Sequence, residues 1–295
     1  MFKGSIPALV TPFTREGNID FTAFDALMQW HIEAKSDAIV LCGITGESPT
    51  LTLEEHSAII SRGVEIANGT IPIIAGTGCA STYLTMQLTE NAKNAGADAC
   101  LVIVPYCNRP TPEGCLQHFA HVAKIGLPLI VYHHPSRTNV KLPLSSLVEI
   151  LALPHVVGIK EGSGDLTYTM ELAKRTRIPL LCGDDILTLA MMGLGAQGVI
   201  SIVANVIPEE WKLLCALLLK GDFTQGRILF HRYQTLVESM ILEINPQCVK
   251  YALSLLNKCS SALRLPLVEP REETKRNIEQ AIAECLPLQI EMSGV

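Results

Sequence analysis

Short apolar runs alternate with segments of helical period along the first 220 residues. The runs lie at 5–10, 38–42, 71–76, 99–104, 129–133, 156–160, 180–183 and 198–202. Each is only four to six residues long, rich in Ile, Val, Leu and Ala, and nearly continuous rather than alternating. That is the pattern of strands buried on both faces in a parallel sheet. Each run is followed by a helix-period segment: 21–34, 54–67, 82–95, 113–124, 143–151, 166–175, 186–194 and 208–219. The first of these puts Phe24, Leu27, Met28 and His31 on one face and begins after Asp20, a side chain suited to capping a helix. Eight such units predict an α/β fold, a (β/α)8 TIM barrel. An open doubly wound sheet is the rival arrangement, but TPFTREGNID after the first run lacks the glycine fingerprint expected there.

Beyond residue 220 the strand pattern stops. Helices are predicted at 223–238, 246–256 and 271–285, with Pro266 and Pro270 interrupting the chain before the last. The expected division is a barrel over 1–220 and a C-terminal helical domain over 221–295. The tail 286–295 shows no clear period.

Composition narrows the function classes. The chain has 295 residues, 48% hydrophobic and 18% charged, with a formal net charge of −6. Such a balance excludes intrinsic disorder. No basic stripe invites nucleic acid, and no apolar run is long enough to span a bilayer. The N-terminal MFKGSIPALVTPF carries no cleavage-signal pattern, so a cytoplasmic location is expected. None of the ten cysteines forms a C-x-x-C pair, and most lie in apolar runs, which reads as buried reduced thiols. Cys115, His118 and His121 spread around a third of a helix circumference, so no metal site is expected there.

In a barrel, chemistry gathers at the carboxyl ends of the strands. Those positions hold GITGES (43–48), PYCNRP (105–110), YHHPSRT (132–138), GIKE (158–161), GDD (183–185) and GVIS (198–201). Lys160 ends a strand that should be buried, where an unpaired charge is costly. Two readings stand side by side: an amine of depressed pKa able to attack a ketone, or a lysine paired with Glu161. GITGES is a tight turn that can also offer N–H groups and the Thr45 hydroxyl to a carboxylate. Arg137 is a solvated charge or a fork for a carboxylate. His133 and His134 point to opposite faces of their strand and cannot chelate together.

Taken together, GSIPALVTPF, GITGES, IPIIAGTG, VPYCNRPTPEG, YHHPSRT, GIKEGSGD, CGDD and GVISIVANV resemble the dihydrodipicolinate synthase family of pyruvate-dependent Schiff-base aldolases and lyases. The resemblance runs from Met1 to about Leu286. It implies a barrel with a C-terminal helical domain, assembled as a homotetramer of two tight dimers, and no cofactor. It also implies Lys160 as the Schiff-base lysine, Tyr132 as its proton relay, and Thr45, Gly183 and Ile200 around the pyruvate. Arg137 matches the arginine with which the synthase branch binds the carboxylate of a second substrate. The implied reaction condenses pyruvate with L-aspartate 4-semialdehyde to 4-hydroxytetrahydrodipicolinate, in the diaminopimelate and lysine pathway. The alternatives are an aldolase taking another small aldehyde and a pyruvate-binding homologue of low activity. Two residues depart from the family's relay: Ile44 replaces a threonine and Cys107 a tyrosine. Where lysine-inhibited members carry polar ligands, this chain keeps Ser48, His56 and Tyr106 but has Leu53, Ala80 and Leu84.

Overall fold

A parallel strand covered on both faces needs no polar side chain along most of its length, and the eight apolar runs form such strands. The computed structural model describes residues 2–286; the predicted tail beyond 286 lies outside them. The strands are β1 (Gly4–Pro7), β2 (Ile39–Leu41), β3 (Ile73–Gly76), β4 (Ala99–Ile103), β5 (Leu129–His133), β6 (Val156–Glu161), β7 (Leu180–Cys182) and β8 (Gly198–Ser201). All pair in parallel, from β2 through to β8 and then β1. An isolated parallel bridge between Ala8 and Val40 joins the two ends of the sheet, closing the barrel.

Helices α1 (Phe21–Glu33), α2 (Leu53–Ala67), α3 (Thr82–Asn94), α4 (Pro112–Ala123), α5 (Pro135–Thr138), α6 (Leu144–Leu151), α7 (Leu166–Arg175), α8 (Thr188–Gly193) and α9 (Pro208–Leu219) follow the strands. Local signals set their starts. Asp20 caps α1, Thr52 and Glu55 form a reciprocal capping box on α2, and Asp165 caps α7. On α1 the buried residues are Phe24, Leu27, Met28 and His31, the face read from the sequence. Two elements differ from expectation. The segment after β7 opens with a 3-10 turn, Asp185–Leu187, before α8 begins. The four-residue α5 has no counterpart in the periodicity and carries Arg137.

Helices α10 (Phe223–Ser239), α11 (Gln247–Leu255) and α12 (Glu272–Cys285) complete the chain. Helix α10 packs on α8 and α9, and α12 packs on α10 and α11. Among the described residues no helix is long and apolar enough to cross a membrane. Seven of the ten free cysteines are buried, whereas Cys79 and Cys259 are half-buried and Cys107 is exposed.

Strand alternation divides the apolar core into two layers. Ile6, Val40, Ile74, Leu101, Ile103, Ile130, Tyr132, Leu181 and Ile200 fill the barrel interior. Their strand neighbours, with the helices, form the larger outer core.

Candidate active site

The interior layer opens at the carboxyl ends of the strands into a cavity of about 50 Å³. Its wall includes Thr45 and Ile44 from the turn after β2, Tyr132 on β5, and Lys160 on β6. His134 and Arg137 from the segment after β5, Gly183 after β7, and Asn245 complete the polar part of it. Five of the six residues singled out from the sequence therefore meet at one opening. The sixth, Ile200, belongs to the interior apolar cluster, and the residue lining the cavity from that end of the barrel is Ile202.

Lys160 and Tyr132 are register partners on adjacent strands. The Lys160 ammonium stands 4.4 Å from the Tyr132 ring centroid. Lys160 is 6% exposed and has no carboxylate within ion-pair distance among the described residues. Burial is the main cause that brings its pKa down from 10.5 to about 8; Asp185 opposes the fall and Arg137 adds to it. Burial also raises the Tyr132 phenol, against the pull of Arg137, so this group stays protonated at neutral pH. His134, edge-on to Tyr132 at 5.6 Å, is lowered to about 4 by burial first and then by Arg137 and Lys160. It is a neutral imidazole at pH 7.

The ion-pair reading of Lys160 and Glu161 is settled by the pleat. Glu161 faces the outer layer, where one carboxylate oxygen accepts from His133 Nδ1 at 2.8 Å and the other from the Ser163 N–H at 2.7 Å. His133 Nε2 accepts from the Leu142 N–H at 3.4 Å, which fixes the proton on Nδ1. The imidazole stacks on Tyr168 at 5.4 Å. Thus His133 and Glu161 tie β5 to β6 behind the wall, while Tyr132 and Lys160 face the cavity in front of it.

Close backbone packing shapes the rim. A Cβ on Gly183 would stand 2.9 Å from the Glu161 carbonyl oxygen, so no side chain intrudes between β6 and β7. Asp185 is buried and uses one carboxylate oxygen to accept from the Ile202 and Val203 N–H groups at 2.7 and 2.9 Å. That contact holds the segment carrying Ile202 against the end of β7.

The amine of Lys160 thus stands buried on a closed barrel, facing a phenol in a cavity that Arg137 also lines. The sequence profile described as the Dihydrodipicolinate synthetase family matches residues 1–285. The chain belongs to that family. It is 42% identical over 293 residues to the 4-hydroxy-tetrahydrodipicolinate synthase of Aquifex aeolicus, covering 98% of this chain and 99% of the relative. The corresponding enzyme of Persephonella marina is 42% identical over 287 residues, covering 96% and 98%. Among solved structures, the dihydrodipicolinate synthase of Aquifex aeolicus aligns with a TM-score of 0.94 at 41% identity, covering 96% of this chain and 98% of that one. The chloride-inhibited synthase of Acinetobacter baumannii, complexed with pyruvate, aligns with a TM-score of 0.94 at 38% identity, covering 97% and 99%.

Measured against the family's relay, Ile44 lines the cavity as a branched hydrocarbon. Cys107 is exposed in the loop after β4, in a left-handed backbone conformation with φ of 70°. A second cavity of about 210 Å³ adjoins the first and shares Ser48, Gly76 and Gly78 with it. Leu51, Leu53, Leu84 and Leu88 supply much of its wall, with His56 and Tyr106 as polar members. Ala80 is not on that wall; its carbonyl accepts from the Asn108 amide at 3.0 Å. Of Cys115, His118 and His121, His118 pairs with the Thr82 hydroxyl at 2.9 Å and His121 with the Gln117 carbonyl at 2.7 Å.

Sequence reasoning missed Asn245. Its amide donates to the Thr45 hydroxyl at 3.0 Å across 200 residues of chain, and its side-chain oxygen has no partner among the described residues. No local pattern marks it. The only available signal was its place beside Pro246, at a helix start.

Proposed function

We propose that this chain is a 4-hydroxy-tetrahydrodipicolinate synthase, condensing pyruvate with L-aspartate 4-semialdehyde. The observation that carries the reading is Lys160: a buried amine with no ion-pair partner among the described residues, facing a protonated phenol. The neutral amine attacks the pyruvate ketone. Tyr132 donates a proton to the departing hydroxyl, water leaves, and the Lys160 imine forms. The Tyr132 phenolate takes a methyl proton, giving the enamine, and as the enamine carbon attacks the aldehyde the phenol returns that proton to the new alkoxide. The α-amino group of the second substrate then adds to the imine carbon, closes the ring and releases Lys160. Thr45 receives the pyruvate carboxylate beside Gly183, Ile200 meets the pyruvate through its backbone from the interior layer, and Arg137 receives the carboxylate of the aldehyde. Arg137 has no carboxylate partner within ion-pair distance among the described residues, so its fork is open to an anion.

The same reading takes 1–220 as the catalytic barrel and 221–295 as the helical domain. It has the chain working without a cofactor, as a cytoplasmic homotetramer built from two dimers. Ile44 favours a second reading, in which the pyruvate half-site is kept and another aldehyde is used, because a hydrocarbon at the wall cannot pass a proton. A coupled reductase assay with pyruvate and aspartate semialdehyde, beside a panel of other aldehydes, separates the two. Turnover with aspartate semialdehyde above every other aldehyde is expected. Imine formation without that turnover refutes the synthase assignment.

A further inference from the structure

The turn that carries Thr45 is held from both ends of the chain: the Thr11 hydroxyl donates to the Gly46 carbonyl at 2.7 Å, and residues 245–264 hold Thr45 and Glu47. Within itself it has two backbone bonds, Glu47 N–H to the Ile44 carbonyl at 3.0 Å and Ser48 N–H to the Gly43 carbonyl at 3.2 Å. Glu47 adopts a left-handed conformation with φ of 55°, which a non-glycine residue keeps only when its surroundings enforce it.

The enforcement comes from residues 245–264. Asn245 donates to the Thr45 hydroxyl. Lys250, on α11 and fully buried, donates to Glu47 Oε1 at 2.6 Å and to the Ala262 carbonyl at 2.7 Å. The Arg264 N–H donates to the other Glu47 oxygen at 3.0 Å. The Arg264 guanidinium continues to the Thr50 carbonyl at 2.8 Å and to Glu55. Phe13 lies beneath both cations, 4.2 Å from the Lys250 ammonium and 4.4 Å from the Arg264 guanidinium carbon.

A buried ion pair is a weak stabiliser, since desolvation offsets much of the attraction and apolar residues of equal volume serve packing as well or better. What it supplies that packing lacks is direction. Each Glu47 oxygen has a defined donor, and Glu47 is two residues from Thr45. We propose that Lys250 is a positioning residue for recognition of the 2-oxo acid: through Glu47 it sets the Thr45 turn at the distance a substrate carboxylate requires. The proposal rests on the reading that Thr45 receives the pyruvate carboxylate. It assigns α11 a part in substrate selection, discriminating a 2-oxo acid from a neutral ketone, while the amine of Lys160 treats both alike.

The test is borohydride trapping at subsaturating ketone, comparing pyruvate with hydroxyacetone, a neutral ketone of similar size. Lys250→Met is expected to slow pyruvate trapping about tenfold, the scale of one lost polar contact, and to leave hydroxyacetone trapping unchanged. Glu47→Gln, which keeps the shape but turns an amide NH2 toward one of the two donors, is expected to shift the ratio in the same direction. Thr45→Val tests the underlying reading. If that variant leaves the pyruvate-to-hydroxyacetone ratio unchanged, Thr45 is not the carboxylate site and the proposal falls with it. If Thr45→Val lowers the ratio while Lys250→Met and Glu47→Gln do not, the clamp alone is refuted. Equal losses for both ketones in the Lys250 variant show general damage and also overturn the proposal. Should neither clamp variant fold, the pair is a folding requirement and the positioning role is rejected.

Discussion

The depressed pKa of Lys160 makes the rate of imine formation a titration curve with a stated midpoint. An amine at its ordinary value of 10.5 is neutral in about one molecule in 3000 at pH 7, whereas one at about 8 is neutral in about one in ten. The buried amine is therefore about 300-fold richer in its nucleophilic form at neutral pH. Trapping of pyruvate by borohydride, read as intact mass against time at several pH values, should rise about tenfold per pH unit below 8 and level off above it. A rate still climbing tenfold per unit at pH 9.5 would falsify the assignment of a desolvated amine. Peptide mapping must place the adduct on Lys160. Stability carries the same information with its own sign. Between pH 8 and 10.5 the unfolded chain binds more protons at this site than the folded one, so stability rises with pH across that window. Below pH 8 the full burial cost is present, roughly 3 to 4 kcal/mol from about 1.4 kcal/mol per pH unit. Lys160→Met should therefore resist urea better than the parent at pH 7, with the advantage shrinking between pH 8 and 10.5 and levelling off above that.

Arg137→Ala should raise the KM of the aldehyde by about one to two orders of magnitude, the value of a charge-assisted fork; loss of pyruvate trapping in that variant would count against the role. L-Lysine should inhibit poorly, because Leu53 and Leu84 face the second cavity and leave charged groups there without partners; half-inhibition below about 1 mM, where binding is already worth over about 4 kcal/mol, contradicts this. Ile44→Thr combined with Cys107→Tyr should raise synthase kcat about tenfold or more, and non-additively. If the double variant traps pyruvate and gains nothing, the relay does not limit turnover.

Local order was legible because it is written locally. A strand buried on both faces has to be an apolar run, and a helix on its flank has to repeat every three or four residues. Both signals located every strand of the barrel to within a few residues. Alternation also told that His133 and His134 point to opposite faces, but which of Tyr132 and His133, or of Lys160 and Glu161, faces the cavity came only with the register of the closed sheet. Four residues of PSRT are too few to show a period, so α5 and the route by which Arg137 reaches the cavity were hidden. Asn245, Lys250 and Arg264 were hidden for another reason. Their partners lie 200 or more positions earlier, and a lone asparagine or lysine near a helix start looks the same whether it is solvated or buried.

In β5 and β6 the residues that face the cavity and those that hold the wall together are sequence neighbours, Tyr132 with His133 and Lys160 with Glu161. Because a strand alternates faces, deletion of one residue within either strand would exchange the two sets. A carboxylate would then enter the cavity and the amine would be driven into the helix layer. The loops around these strands can lengthen or shorten freely, but the strands themselves are frame-locked. Chains with such an indel would lose their fold at the same step as their chemistry, leaving no folded but miswired form to persist.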